Sequence, residues 1–389
     1  MQEPDGIRML EGSSVPEYFT GYACFGSDTY NKFELYNWTP RPFRDYDIDV
    51  KVEYCGICGS DLHTLRAGWG PVKYPIVCGH EVSGRAIRVG PKVTSIQPGD
   101  YVGIGAMSWS CGKCSACAGP THPVSPCEGD DGEHGYGGEG GLDGGNEQYC
   151  KRVCELYNWD YPGGGQLQGG FANYVRIHEN FCFPIPDSIP PELAAPMLCG
   201  GVTMYSALTR SSLPKDSKIG IIGLGGLGHF AVLFGSTDYD ISVLSHSPSK
   251  EADSLKLGAS RFISTDSNSD WPTQLARNFD LVICTNHSTS MPLQDYLKTL
   301  KIGGTLMICG IPEGTLPPLS WADLGASNLA IKGSNVGSKK EVISMLKLAS
   351  EKNLKPWVEV LDMKHLGDAI TRLEKGDCRY RFVMKADFE

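Results

Sequence analysis

Residues 218–228 read Lys-Ile-Gly-Ile-Ile-Gly-Leu-Gly-Gly-Leu-Gly and run directly into the apolar stretch His-Phe-Ala-Val-Leu-Phe-Gly-Ser. Lys218 to Gly223 reads as a strand, and the apolar stretch after it as a helix. In Gly223-Leu224-Gly225-Gly226-Leu227-Gly228 the glycines at 223, 225 and 228 each answer a separate demand. The first makes the turn, the second lets backbone approach a pyrophosphate, and the third lets helix pack on strand. The helix N-terminus then presents free N–H groups and a positive dipole end to phosphates. A glycine-rich turn alone is a weak sign, so its surroundings decide the matter.

Those surroundings alternate strand and helix. DISVLS is a second strand and SKEADSLKLG a second helix, while FDLVICT, GGTLMICG and LAIKGSN supply further apolar strands. Such alternation predicts a doubly wound parallel sheet, a Rossmann domain, over residues 200–336. The end of the second strand selects the dinucleotide. NAD sites place an acid there for the ribose hydroxyls. Here the strand closes on Ser245-His246-Ser247, Lys250 follows, and no acid precedes Glu251. Hydroxyls and a cation suit a 2′-phosphate, so NADP(H) is the expected cofactor. The same residues also read as a serine-capped turn that starts the next helix.

N-terminal to this domain, residues 48–110 form short runs cut by Gly and Pro (IDVKVEYCG, GRAIRVG, VTSIQPGDYVGIG), the pattern of a compact, mostly β domain. Residues 118–147 are rich in Gly and acid and nearly free of apolar side chains, which predicts a long loop or a partly disordered insertion. From about Gly337 a helix, a strand around WVEVL, another helix and the strand YRFVMK complete the chain. The expected division is a zinc-binding catalytic domain from 1–199 and 337–389 and an NADP-binding domain from 200–336. With 389 residues the chain has room for two cores, and its net charge of −10 leaves no footprint for nucleic acid or an anionic membrane. No run is long enough to span a bilayer, and the first residues do not read as a secretory signal. A cytoplasmic location is expected, with the 15 cysteines as metal ligands and buried thiols rather than disulfides.

Two constellations carry metal chemistry. One is scattered: Cys58 in Cys55-Gly-Ile-Cys58-Gly-Ser60-Asp61-Leu-His63, then His80-Glu81, then Cys199. Two thiolates and one imidazole leave a position open on tetrahedral zinc, the arrangement of a catalytic site. Taken singly, each of these residues is equally at home in a core. The other is local: Cys111-x2-Cys114-x2-Cys117, with a fourth ligand downstream at Cys150 or Cys127, and Cys154 a weaker option. This spacing predicts a closed structural zinc site. Trp69 and Trp109 stand near these segments and offer either an apolar substrate wall or ordinary packing.

With Gly79-His80-Glu81, the cysteine knot and GLGGLG in this order, the chain resembles the medium-chain, zinc-dependent alcohol dehydrogenases, and within them the cinnamyl alcohol dehydrogenase group. Supporting strings are Gly170-Phe-Ala-Asn-Tyr-Val175, Ala194 to Thr203, Ser245 to Lys250 and Gly376 to Phe382. Alcohol dehydrogenases are themselves the known example of a Cys2His zinc, so that agreement is consistency rather than independent derivation. The resemblance implies a GroES-like fold for the β domain. It also implies two Zn2+ per chain and hydride transfer between NADP(H) and a primary alcohol or aldehyde, aromatic or medium-chain. Cys58, His80 and Cys199 would hold catalytic zinc, with Glu81 able to enter its shell and Asp61 behind it. Ser60 would hydrogen-bond the substrate oxygen and His63 would end the proton relay. Thr203, Thr285, Gly310 and Ser334-Asn335-Val336 would contact the cofactor beside the glycine loop and the Ser245–Lys250 segment. The string Glu147-Gln-Tyr-Cys150 favours Cys150 as the last structural ligand. A homodimer is implied, formed by edge strands of two cofactor domains.

Three departures stand out: the long segment between Cys117 and Cys150, Gly59 where His is common, and Asn335 where lignin-forming members carry a bulky apolar residue. They leave room for a biosynthetic reductase of an iminium or conjugated alkene, while the Ser245-His246-Ser247 strand end argues against a polyol-type dehydrogenase using NAD on the same fold. A non-catalytic NADPH-binding redox sensor is the alternative from another class.

Overall fold

The computed structural model describes residues 6–119 and 144–388. The chain divides into two compact units, Met1–Cys199 with Gly337–Glu389, and Gly200–Val336.

In the second unit six strands form one sheet in the order Arg261–Ser264, Asp240–Ser245, Lys218–Ile222, Phe279–Cys284, Leu300–Ile308, Ala330–Gly333. Every neighbouring pair is parallel. Counted along the chain this is order 3-2-1-4-5-6, whose reversal beside Lys218–Ile222 opens a crevice at the carboxyl ends of the strands. Ile219, Ile221, Val243, Leu281 and Ile283 are buried, because a parallel sheet covered on both faces has no side for water. Arg261–Ser264 is a strand that apolar runs do not reveal. It is short, polar at both ends, and exists through its pairing with Ser242–Ser245.

The first unit is built on an eight-stranded sheet with the path Cys182–Pro184, Tyr101–Ile104, Val82–Val89, Asp47–Gly56, Arg381–Lys385, Val358–Asp362. Arg8–Met9 and Tyr174–His178 join it from the sides. Most pairings are antiparallel, and the exception is Val358–Asp362 beside Arg381–Lys385. The register of that last strand on Asp47–Gly56, with Val383 opposite Gly56 and Met384 opposite Cys55, brings the chain's end beside residues over 300 positions earlier. Residues 120–143, most of the expected insertion, and Cys127 within them lie outside the described residues. The segment's two flanks meet: Gly144 N donates to Cys117 O (2.7 Å) and Asn146 N to Ala116 O (3.2 Å). The described chain therefore breaks off and resumes at one point.

Candidate active site

Cys58 closes the turn after the Asp47–Gly56 strand and is the N-cap of the Gly59–Leu65 helix. Asp61, at the third helical position, accepts the Cys58 N–H through Oδ2 (2.8 Å) and the Gly79 N–H through Oδ1 (2.9 Å). One buried carboxylate therefore ties the two segments that carry Cys58 and His80. Such a group is tolerated away from water only because its lone pairs are used. Cys199 arrives on the turn of π-helix Met197–Gly201 that follows the Pro191–Pro196 helix.

The donor atoms of Cys58, His80, Glu81 and Cys199 lie within 4.8 Å of one another, and all four residues are buried. The two sulfurs are 4.0 Å apart, and His80 Nε2 stands 3.2 Å from Cys199 Sγ. The hydrogen bond from the Cys199 thiol, against burial and helped by His80, holds Cys58 well below the ordinary thiol range. Glu81 is ion-paired with Arg381 through Oε1, while its Oε2 is buried without a partner. Burial pushes the Glu81 carboxyl up to about 7 against the pull of Arg381. Two soft sulfurs, one imidazole nitrogen and an unused carboxylate oxygen at a single point are the donor set of zinc. Arg381 itself is not singled out by the sequence. A buried Glu demands a cation, but only the sheet register identifies which one.

Ser60 Oγ lies 3.6 Å from Cys58 Sγ. His63, one turn further along the helix, stacks on Trp69 with centroids 4.6 Å apart and planes 20° apart. Trp109 is core: it is 4% exposed.

Cys111, Cys114, Cys117 and Cys150 also bring their sulfurs within 4.8 Å of one another. Cys111 and Cys114 each reach Cys117 (3.9 and 3.6 Å), and the Cys114 N–H points at Cys111 Sγ (3.4 Å). Beside this knot, buried Glu147 accepts the N–H of Lys339, first residue of the Lys339–Lys352 helix, so the knot anchors that helix's start. Cys154 faces away, toward the carbonyls of Arg152 and Asp160.

In the second unit the expected cofactor residues follow successive strand ends: Gly223 after Ile222, Ser245 closing its strand, Thr285 after Cys284, Gly310 just past Ile308, Ser334 after Gly333. The three glycines differ as their roles demand. Gly223 has φ +88°, a Cβ at Gly225 would meet nothing within 4 Å, and one at Gly228 would strike the Gly223 carbonyl. Gly225 thus leaves open backbone for a close ligand, and Gly228 allows helix–strand contact. Thr285 Oγ1 donates to Ile222 O (2.8 Å), and Lys250 Nζ to Leu224 O (2.8 Å), which lays the lysine along the loop. Ser245 and Ser334 hold buried hydroxyls without partners. His246 and Asn335 are exposed, Val336 sits at φ +39°, and Thr203 is buried on the Val202–Thr209 helix.

Fold and clusters together define a two-unit dehydrogenase with a cysteine-rich β unit and a dinucleotide-type sheet. Residues 44–187 match the alcohol dehydrogenase GroES-like domain, and residues 225–351 the zinc-binding dehydrogenase family. The chain is 39% identical over 376 residues to the NADP-dependent alcohol dehydrogenase 6 of Saccharomyces cerevisiae, covering 95% of this chain and 97% of that one. Among solved structures it resembles a cinnamyl alcohol dehydrogenase from Sorghum bicolor, with TM-score 0.85 and 31% identity over 96% of this chain and 99% of that one. It also resembles a Helicobacter pylori enzyme of that type complexed with NADP(H), with TM-score 0.82 and 29% identity over 95% and 99%. The chain belongs to the zinc-binding medium-chain alcohol dehydrogenases and is an alcohol/aldehyde oxidoreductase.

Proposed function

We propose that this enzyme moves hydride between NADP(H) and primary alcohols or aldehydes of aromatic or medium-chain type, using Cys58, His80 and Cys199 as ligands of a catalytic zinc. The convergence of these three buried donors with Glu81 carries the reading. Zinc held there would act as a Lewis acid toward a carbonyl or alkoxide oxygen. Asp61 orients His80, and the Arg381 pair holds Glu81 close enough to replace a departing ligand. Ser60, at the start of the helix capped by Cys58, gives the substrate oxygen its proton, and His63 replaces that proton from the outer end of the helix. Cys111, Cys114, Cys117 and Cys150 hold a structural zinc that has no open position.

The glycine loop takes the pyrophosphate, and Ser245, His246, Ser247 and Lys250 take the 2′-phosphate, with the NADP-dependent yeast relative as support. Thr203, Thr285, Gly310 and Ser334 to Val336 line the rest of the cofactor's path. The unit 200–336 is then the NADP-binding domain, and 1–199 with 337–389 the catalytic one. We further infer a cytoplasmic homodimer joined at the Ala330–Gly333 edge, which among the described residues pairs on one side only. Initial rates with NADPH and with NADH against aromatic and aliphatic aldehydes, before and after a strong zinc chelator, test the reading. Turnover that survives complete chelation, or a preference for NADH, overturns it.

A further inference from the structure

The two ring nitrogens of His80 face different partners. Nε2 points into the cluster, 3.2 Å from Cys199 Sγ. Nδ1 lies 3.1 Å from Asp61 Oδ1 and equally 3.1 Å from the hydroxyl of Tyr157. A neutral imidazole that ligates through Nε2 carries its proton on Nδ1, and whatever receives that proton fixes the tautomer and the plane of the ring. Asp61 is the expected receiver, yet its Oδ1 already accepts the Gly79 N–H and its Oδ2 the Cys58 N–H.

Tyr157 has no part in the chemistry described above. It is 3% exposed, and its phenol oxygen lies 3.1 Å from His80 Nδ1, the same atom that Asp61 Oδ1 approaches. Its ring leans on the imidazole at 54° with centroids 5.5 Å apart. Its position is rigid because it follows the Cys154–Glu155 strand, which pairs with Met107–Trp109, and because the Leu156 N–H is held by Ala106 O (2.9 Å). A buried phenol hydroxyl with no partner would be costly. Here its partner is His80, a member of the ligand assembly.

We propose that Tyr157 is a positioning residue for the zinc ligand His80: its hydroxyl shares the Nδ1 proton with Asp61 and keeps Nε2 aimed between Cys58 and Cys199. This rests on the zinc reading of the cluster and adds a third member to the support behind it. Phenol and carboxylate together restrain rotation about the imidazole's side-chain bonds more tightly than one acceptor with two other obligations. The consequence concerns metal retention first and turnover second.

The test follows zinc release from the loaded enzyme into a chelator with a colorimetric readout, alongside kcat and KM. Tyr157→Phe should release one of the two zinc ions about 10 to 100 times faster than the wild type, the range typical of outer hydrogen-bond partners of metal ligands. The other ion should stay, and KM for NADPH should not change. Tyr157→4-aminophenylalanine, which keeps a hydrogen-bonding group at the same point, should restore slow release. Tyr157→4-methylphenylalanine keeps the volume without the hydrogen bond and serves if the Phe variant does not fold. Cobalt(II) at the site should show a shifted visible spectrum in Tyr157→Phe. Wild-type release and an unchanged cobalt spectrum in Tyr157→Phe and Tyr157→4-methylphenylalanine would overturn the positioning role. Cys58→Ser separates the two readings. If it keeps both zinc ions, the zinc assignment itself fails; if it loses one while Tyr157→Phe behaves as wild type, only the role of Tyr157 fails.

Discussion

Proton transfer by a placed side chain contributes about 10²- to 10⁴-fold, so Ser60→Ala should lower kcat by that order while NADPH affinity, read by fluorescence titration, stays within a few-fold. An unchanged kcat removes Ser60 from the relay. His178 makes a separate prediction about stability. It is buried, its Nδ1 accepts the Asn180 N–H (3.1 Å), and its Nε2 has no partner. Burial pushes its pKa down to about 4, below the roughly 6.5 of a free histidine. The native state therefore refuses a proton that the unfolded chain accepts. The resulting stability is complete above about pH 6.5 and is lost as pH falls toward 4, reaching about 3 kcal/mol. His178→Asn retains an acceptor for Asn180 without the titration, so its urea midpoint should fall less than the wild type's between pH 7 and pH 5. Parallel pH profiles would refute this. At this scale the sequence is legible where chemistry is local. The Cys111-x2-Cys114-x2-Cys117 spacing declares itself, and Ser245 to Lys250 shows its missing acid. Cys58, His80 and Cys199 are legible only through family resemblance, and Arg381 and Tyr157 are not legible as partners at all.

Among the elements, the strand–loop–helix from Lys218 to Gly235 is the one whose sequence and geometry agree most closely. Its glycines permit a paired prediction. Gly225→Ala adds a methyl into open space, so thermal stability should hold while NADPH binding weakens at least tenfold. Gly228→Ala drives a methyl into the Gly223 carbonyl, which is backbone and has no rotamer to escape by. It should destabilise the unit by about 1–3 kcal/mol, the usual cost of overpacking, seen as a lower melting temperature with cofactor absent. Equal melting temperatures for the two variants would contradict the assigned roles. The Arg261–Ser264 strand shows the opposite case. Its polar residues, Arg and two serines within Arg261 to Ser264 and its neighbours, carry no apolar period, and its extended form comes from a neighbour.

At the scale of the whole molecule, zinc that binds only folded protein stabilises it by mass action. Chelation in two stages is expected: activity disappears with the first ion, and the melting temperature drops with the second, since four sulfurs hold the knot and Glu147 links it to the Lys339–Lys352 helix. Simultaneous loss of both properties would place the two ions in one cooperative unit. Sedimentation should give twice the 42.2 kDa chain mass if the Ala330–Gly333 edge pairs with its copy, and a monomer at micromolar concentration would exclude that pairing.

The amino-acid order by itself determines the features set by backbone within a few residues: the glycine loop, the strand–helix alternation from Lys218 onward, and the cysteine triplet at 111, 114 and 117. Turn conformation, periodicity and chelate spacing act over such short distances that no distant residue is needed. Tertiary structure alone decides what depends on sheet register. Pairing of Arg381–Lys385 with Asp47–Gly56 delivers Arg381 to Glu81, and the short Met107–Trp109 ladder carries Tyr157 to His80. These contacts join positions 77 to 300 residues apart, where only the packing of whole strands selects the partner.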